Sequence, residues 1–146
     1  MMPSTIQSVA DRGPCVKEII PEFFNLYSHD FVRVAVATPR VRVGDPAANA
    51  AETTRMMQRA AERGAVLVVF PELGLSAYSC EDLFHQRALL DGCREALGAV
   101  LEASRGCPAV AMVGLPLEVG GLMFNCAAVV HAGRLLGVVP EGRRAP

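Results

Sequence analysis

Apolar positions fall into two kinds of run along this chain. FVRVAVAT (31–38), AVLVVF (65–70) and AVAMVGL (109–115) are near-continuous in Val, Ala and Leu, as strands covered on both faces tend to be. Between the first two, residues 47–63 carry the mixed pattern of a helix. Asp45 stands as its N-cap, Pro46 at its first helical position and Gly64 as its stop. Ser79 followed by Asp82 resembles a capping box and opens a second helical region, LFHQRALLDGCREALGAVLEASRG (83–106), with a break expected near Asp91-Gly92. Pro116 closes the third strand. The order β-α-β-α-β predicts an α/β fold with right-handed crossovers and a parallel sheet.

After Pro116 the spacing changes. EVGG (118–121) reads as a tight turn, and LMFNCAAVVH (122–131) and RLLGVV (134–139) are separated by Ala132-Gly133, a hairpin signal. The parallel strands therefore lead into an antiparallel hairpin. Residues 1–22 are polar and broken by Pro3, Gly13, Pro14 and Pro21, and read as a loose leader.

Composition narrows the function classes. The chain has 146 residues, the size of one domain, and 51% of them are hydrophobic, ample for a core. A net charge of −1 leaves no cationic excess to neutralise phosphates, so a nucleic-acid partner is not expected. No apolar run approaches the roughly 18 residues of a membrane span, and no signal peptide is evident. Five cysteines at scattered spacings (Cys15, Cys80, Cys93, Cys107, Cys126) suggest reduced, buried thiols in a cytoplasmic protein rather than a metal site.

Candidate chemistry centres on VLVVFPELGLSAYSCEDL (66–83). Functional groups in open α/β sheets gather at the carboxyl ends of strands. Glu72 sits just past such an end, behind Pro71, which stops the strand. Burial beside Phe70 and Leu73 would suit this carboxylate to general-base work. From pattern alone a solvated loop glutamate explains Glu72 equally well. Tyr78 in the following loop could wall a ligand pocket or pack at its rim. His85 and His131 read as surface or packing residues, and Asn125 as a structural residue that bonds locally. Gly114, Gly120 and Gly121 lack the lysine and spacing of a phosphate loop.

Taken in order, FVRVAVAT, VVFPELGLSAYSCEDL and VGLPLEVGGLMFNCAAVVHAGRLLGVVP resemble the opening of a nitrilase-superfamily (carbon–nitrogen hydrolase) domain. With FFNLYSHD (23–30) they resemble the N-terminal glutaminase domain of bacterial glutamine-dependent NAD synthetases more than generic nitrilases. The resemblance spans 23–140. Ala77 departs from it, since the family commonly has glycine there.

The resemblance implies the N-terminal half of a four-layer αββα sandwich and a Glu-Lys-Cys triad. In that triad a thiolate attacks the glutamine amide, the glutamate moves the proton and the lysine stabilises the oxyanion. It gives Glu72 the first triad place and Tyr78 a place lining the glutamine pocket. The lysine belongs directly after VVP (138–140), where this chain has Glu141, and the nucleophile lies beyond Pro146. No metal or cofactor is implied for this chain. ATP and magnesium belong to the parent's synthetase domain, which amidates deamido-NAD with ammonia from glutamine.

Residues 141–146 read as a non-homologous tail, of a composition that a shifted frame in GC-rich DNA yields. The expectation is a truncated, inactive relative whose intact parent is a homo-oligomer. The alternative is a non-catalytic interaction module that pairs with a homologue or with itself.

Overall fold

The computed structural model describes residues 22–143, so the leader, apart from Glu22, and the last residues of the tail lie outside the described residues. The short unit before Val32 holds two 3-10 turns, Glu22–Phe24 and Leu26–His29. Asn25 caps the second by accepting from the Tyr27 amide at 3.2 Å, and Asp30 ends it at φ 60°.

The larger unit is a mixed sheet flanked by helices. Its elements are β1 (Val34–Val36), α1 (Pro46–Glu62), β2 (Leu67–Val69), α2 (Arg87–Ala103), β3 (Val110–Val119), β4 (Leu122–His131) and β5 (Arg134–Arg143). The sheet runs in chain order, β1-β2-β3-β4-β5. β1, β2 and β3 are parallel, and β3-β4-β5 is an antiparallel meander, as the sequence pattern predicts.

Local chemistry explains the helix ends. The Asp45 carboxylate accepts from the Ala48 amide at 3.1 Å, and Pro46 occupies the first turn, where its missing N–H costs nothing. Past the C-cap Arg63, Gly64 takes φ 77°, the left-handed conformation that ends helices. α1 buries Asn49, Ala50, Thr53 and Met57, and α2 buries Leu89, Leu90, Cys93, Ala96, Leu97 and Val100, each set at helical spacing. Ala50, Met57, Ala96, Leu97 and Val100 pack on Val68, Ala111, Val113, Leu115, Ala128 and Val130 of the sheet, all six fully buried, while Leu89 and Cys93 join Leu73, Ala77, Cys80 and Phe84 in a second cluster.

Three expectations need correction. α2 runs unbroken through Gly92, whose missing side chain leaves room for the Pro46 ring at the start of α1: a Cβ there would meet Pro46 Cγ at 3.4 Å. The proposed capping box does not form. Tyr78–His85 is 3-10 turn with non-helical angles at Ser79 and Glu81, and its cap position, Ala77, makes no side-chain bond. β3 continues through Pro116 to Val119. Beyond Met112 it has a strand neighbour only on the β4 side, where a proline's missing N–H is tolerated.

Candidate active site

β2 ends at Val69, and the chain turns over the face of β3 instead of leaving the sheet. Phe70 N–H donates to Met112 O at 3.0 Å and Leu75 N–H to Gly114 O at 3.1 Å, so 70–75 stays tied to β3. Gly114 makes the crossing possible. A Cβ on it would lie 2.5 Å from Pro71 O and 2.6 Å from the Leu73 nitrogen, both backbone atoms. Only glycine lets the chain pass this close.

The loop is then locked from below. Leu73 (φ 51°) and Leu75 turn inward to full burial. Asn49 of α1, 1% exposed, accepts from the Arg42 amide at 2.7 Å and donates to Arg42 O at 2.8 Å and Leu75 O at 3.0 Å. Its amide oxygen and nitrogen are both used, so the buried group carries little penalty. Ser76 Oγ donates within the turn to Leu73 O and Ala77 O. Ala77 is held at φ 76°, ψ 153°, a conformation suited to glycine.

With its neighbours pinned, Glu72 is presented outward. Its Oε1 accepts from Asn125 Nδ2 at 2.6 Å. The same nitrogen donates to Glu141 Oε2 at 3.1 Å. Asn125 is 8% exposed, and its Oδ1 has no partner among the described residues. Glu141 reaches this point because β5 bulges: Cys126 pairs with Pro140 and Asn125 with Gly142, leaving Glu141 as the extra residue. The burial anticipated around Glu72 is absent. The residue is exposed, because Phe70 and Leu73 point into the core on either side of it.

Tyr78 opens the 3-10 turn that follows and is 62% exposed. His85 is exposed at the end of that turn. His131 lies far along β4, its Nδ1 3.5 Å from Ala109 O, so neither joins Glu72. Asn125 is the residue sequence reasoning underrated. The available signal was a lone amide in the apolar strand LMFNCAAVVH, on the same sheet face as Ala127 and Val129.

Cys80, Cys93, Cys107 and Cys126 are all buried and free. Burial, and then the nearby Glu141 carboxylate, pushes the Cys126 thiol up. Burial, and then Cys80, pushes the Cys93 thiol up to about 12. Both shifts run opposite to what a nucleophile needs. The only lysine in the chain, Lys17, lies outside the described residues. The constellation is thus a carboxylate, an amide and a second carboxylate, able to accept protons or cationic groups.

Comparison with known proteins places this arrangement in context. The family model for carbon-nitrogen hydrolases matches residues 33–143. A glutamine-dependent NAD(+) synthetase of Mycobacterium tuberculosis (strain ATCC 25618 / H37Rv) is 45% identical over 119 residues, which is 82% of this chain and 18% of that protein. The solved glutamine-dependent NAD+ synthetase from Acinetobacter baumannii superposes with a TM-score of 0.64 at 27% identity, covering 72% of this chain and 20% of that one. A nitrilase-superfamily amidase from Nesterenkonia AN1 superposes with a TM-score of 0.66 over 79% of this chain and 45% of that one. At 22% identity this last likeness speaks to the fold alone. No helix among the described residues is long and apolar enough to cross a membrane.

Proposed function

The chain belongs to the carbon–nitrogen hydrolase family, and from that premise we propose that it corresponds to the opening part of the glutaminase domain of a glutamine-dependent NAD synthetase. The observation that carries this reading is the delivery of Glu72. The end of β2, the crossing over Gly114 and the Asn125 bond together hold one carboxylate at a strand end. In the glutaminase reaction that carboxylate takes the proton from a cysteine thiol as it attacks the glutamine amide. It then returns the proton to the departing ammonia. Tyr78 lines the glutamine pocket in this reading, and Asn125 is a positioning residue that holds the Glu72 carboxylate.

The 146-residue chain by itself does not turn glutamine over. Glu141 stands where the resemblance calls for the oxyanion-stabilising lysine, and the two thiols with raised pKa values make poor nucleophiles. Groups that act as a unit lose most of their effect when one is missing, on the order of 10⁴-fold. Glutamine, deamido-NAD, ATP and magnesium, a cytoplasmic setting and a homo-oligomeric state belong to the full-length enzyme under this reading. A second reading, an interaction module, is favoured by the sheet face turned away from the helices, where Val36 is 83% exposed.

The test is a chimera in which residues 33–143 replace the matching stretch of the Mycobacterium tuberculosis relative, with glutamate release as the readout. Glutaminase activity is expected only when E141K is included. Adding Glu72→Ala is then expected to remove about 10²–10⁴-fold of the rate, the usual contribution of a general base. An E141K chimera that folds and is indifferent to Glu72→Ala would overturn the assignment.

A further inference from the structure

The sheet face turned away from α1 and α2 has an apolar middle and charged ends. Register joins Val36, Val69, Met112 and Val129 in one row across it, and Ala127 and Val139 follow in the next. Val36 and Val139 are exposed, and Val69, Met112 and Val129 are half-buried. Alternation along β4 puts His131, Val129, Ala127 and Asn125 on this one face. At one end of it the exposed Arg134 stands opposite His131. At the other, Glu72 and Glu141 are bonded to Asn125. No ion pair among the described residues engages Arg134, Glu72 or Glu141. The edges of the sheet are blunted where the face is not. β1 has three residues, and β5 carries two bulges and Pro140, devices that discourage pairing with another strand.

We propose that the occupant of this face is a second copy of the chain, packed sheet on sheet about a two-fold axis that lies between the sheets and runs across the strands. Such an axis reverses each strand and keeps strand order, so β5 of one copy lies antiparallel over β5 of the other. Crossing near Gly137 and Val138, it sets Arg134 of each copy over Glu141 of the other. Apolar rows meet between the two charge pairs. Aligned sheets keep their strands within about 30° of one another and lie about 10 Å apart, a gap that an arginine and a glutamate span together. An axis running along the strands would lay β5 over β1 and leave Arg134 facing the end of an apolar strand, so the charges select the first arrangement. Five strands about 4.8 Å wide and about 20 Å of their length outline roughly 480 Å² per copy, or about 1,000 Å² for the pair. That size belongs to weak, reversible association. The choice of face rests on the interaction-module reading, and the glutaminase reading plays no part in it.

The test is sedimentation equilibrium of the full 146-residue chain at about 50 and about 500 mM NaCl. A closed two-fold pair predicts a monomer–dimer equilibrium that stops at two. Its dissociation constant should be about 10–100 µM and should rise severalfold at the higher salt. Arg134→Glu and Glu141→Arg each set like charges opposite each other and should weaken the dimer at least about tenfold. Together in one chain they restore opposite charges and should return it to within about threefold of wild type. Both positions are exposed, where substitutions cost little stability, and circular dichroism checks the fold. Should a charge variant fail to fold, Val36→Lys in the middle of the face gives a second reading, with the same loss expected. A chain that stays monomeric throughout overturns both this inference and the module reading. Assembly beyond two, single variants that dimerise like wild type, or a double variant that stays weak overturns this geometry and leaves the module reading in place.

Discussion

The two faces of the sheet are built from the same residue types and meet opposite environments. On the helix side Val68, Val113 and Val130 are fully buried beneath α1 and α2. On the other side Val34, Val36 and Val139 are 50%, 83% and 53% exposed. Strand register makes the second face a continuous apolar surface, with Val36, Val69, Met112 and Val129 in one row and Gly114, Ala127 and Val139 in the next. Asn125, with Glu72 and Glu141 bonded to it, lies on this same face just beyond those rows. A sheet whose strands are apolar on both sides is prepared for two covers, and the described chain supplies one. Burying a valine fully is worth about 1.5–3 kcal/mol, so the helix-covered face carries the stability and the open face carries the candidate chemistry.

Substitution should separate the faces most sharply at paired valines. Val68→Asp places an unpaired charge in the core and should cost about 3–5 kcal/mol, enough to unfold the chain. Val36→Asp, on the open face, should change stability by no more than about 0.5 kcal/mol. Urea titration followed by circular dichroism reads both. At dilutions that keep the chain monomeric, equal losses would mean the open face is already covered within the single chain.

A smaller effect is expected where the open face meets the site. Gly114→Ala drives a methyl into Pro71 O and the Leu73 nitrogen, and overpacking of this kind costs about 1–3 kcal/mol. It should also displace Glu72 from Asn125, visible as a change in the Asn125 side-chain amide resonances. One substitution runs the other way. Ala77→Gly relieves the positive φ and should raise stability by about 1 kcal/mol after the entropy of the added glycine is counted.

Much of this was legible in the residues. The near-continuous aliphatic runs give parallel strands, Asp45-Pro46 and Gly64 bound α1, and Ala132-Gly133 turns the β4–β5 hairpin. These are local signals, each readable within a few residues. The position of Glu72 past β2 was legible for the same reason. Its partners were not, because Asn125 and Glu141 come from strands 53 and 69 residues further along the sequence, and only the β5 bulge decides that Glu141 reaches them. Gly92 misled for a related reason. Its cost to α2 is offset by the buried face of that helix and by a close approach to Pro46 that local spacing does not reveal.

The contrast between a covered and an open face is tested most directly by sedimentation velocity of the full chain over a range of concentrations, beside a Val36→Lys/Val139→Lys variant. Exposed apolar rows predict that the wild-type chain associates as concentration rises, while the variant, with both charges on the open face, stays smaller under the same conditions. A wild-type chain that remains monomeric throughout, or a variant that associates just as strongly, would contradict the claim that this face is built to be covered.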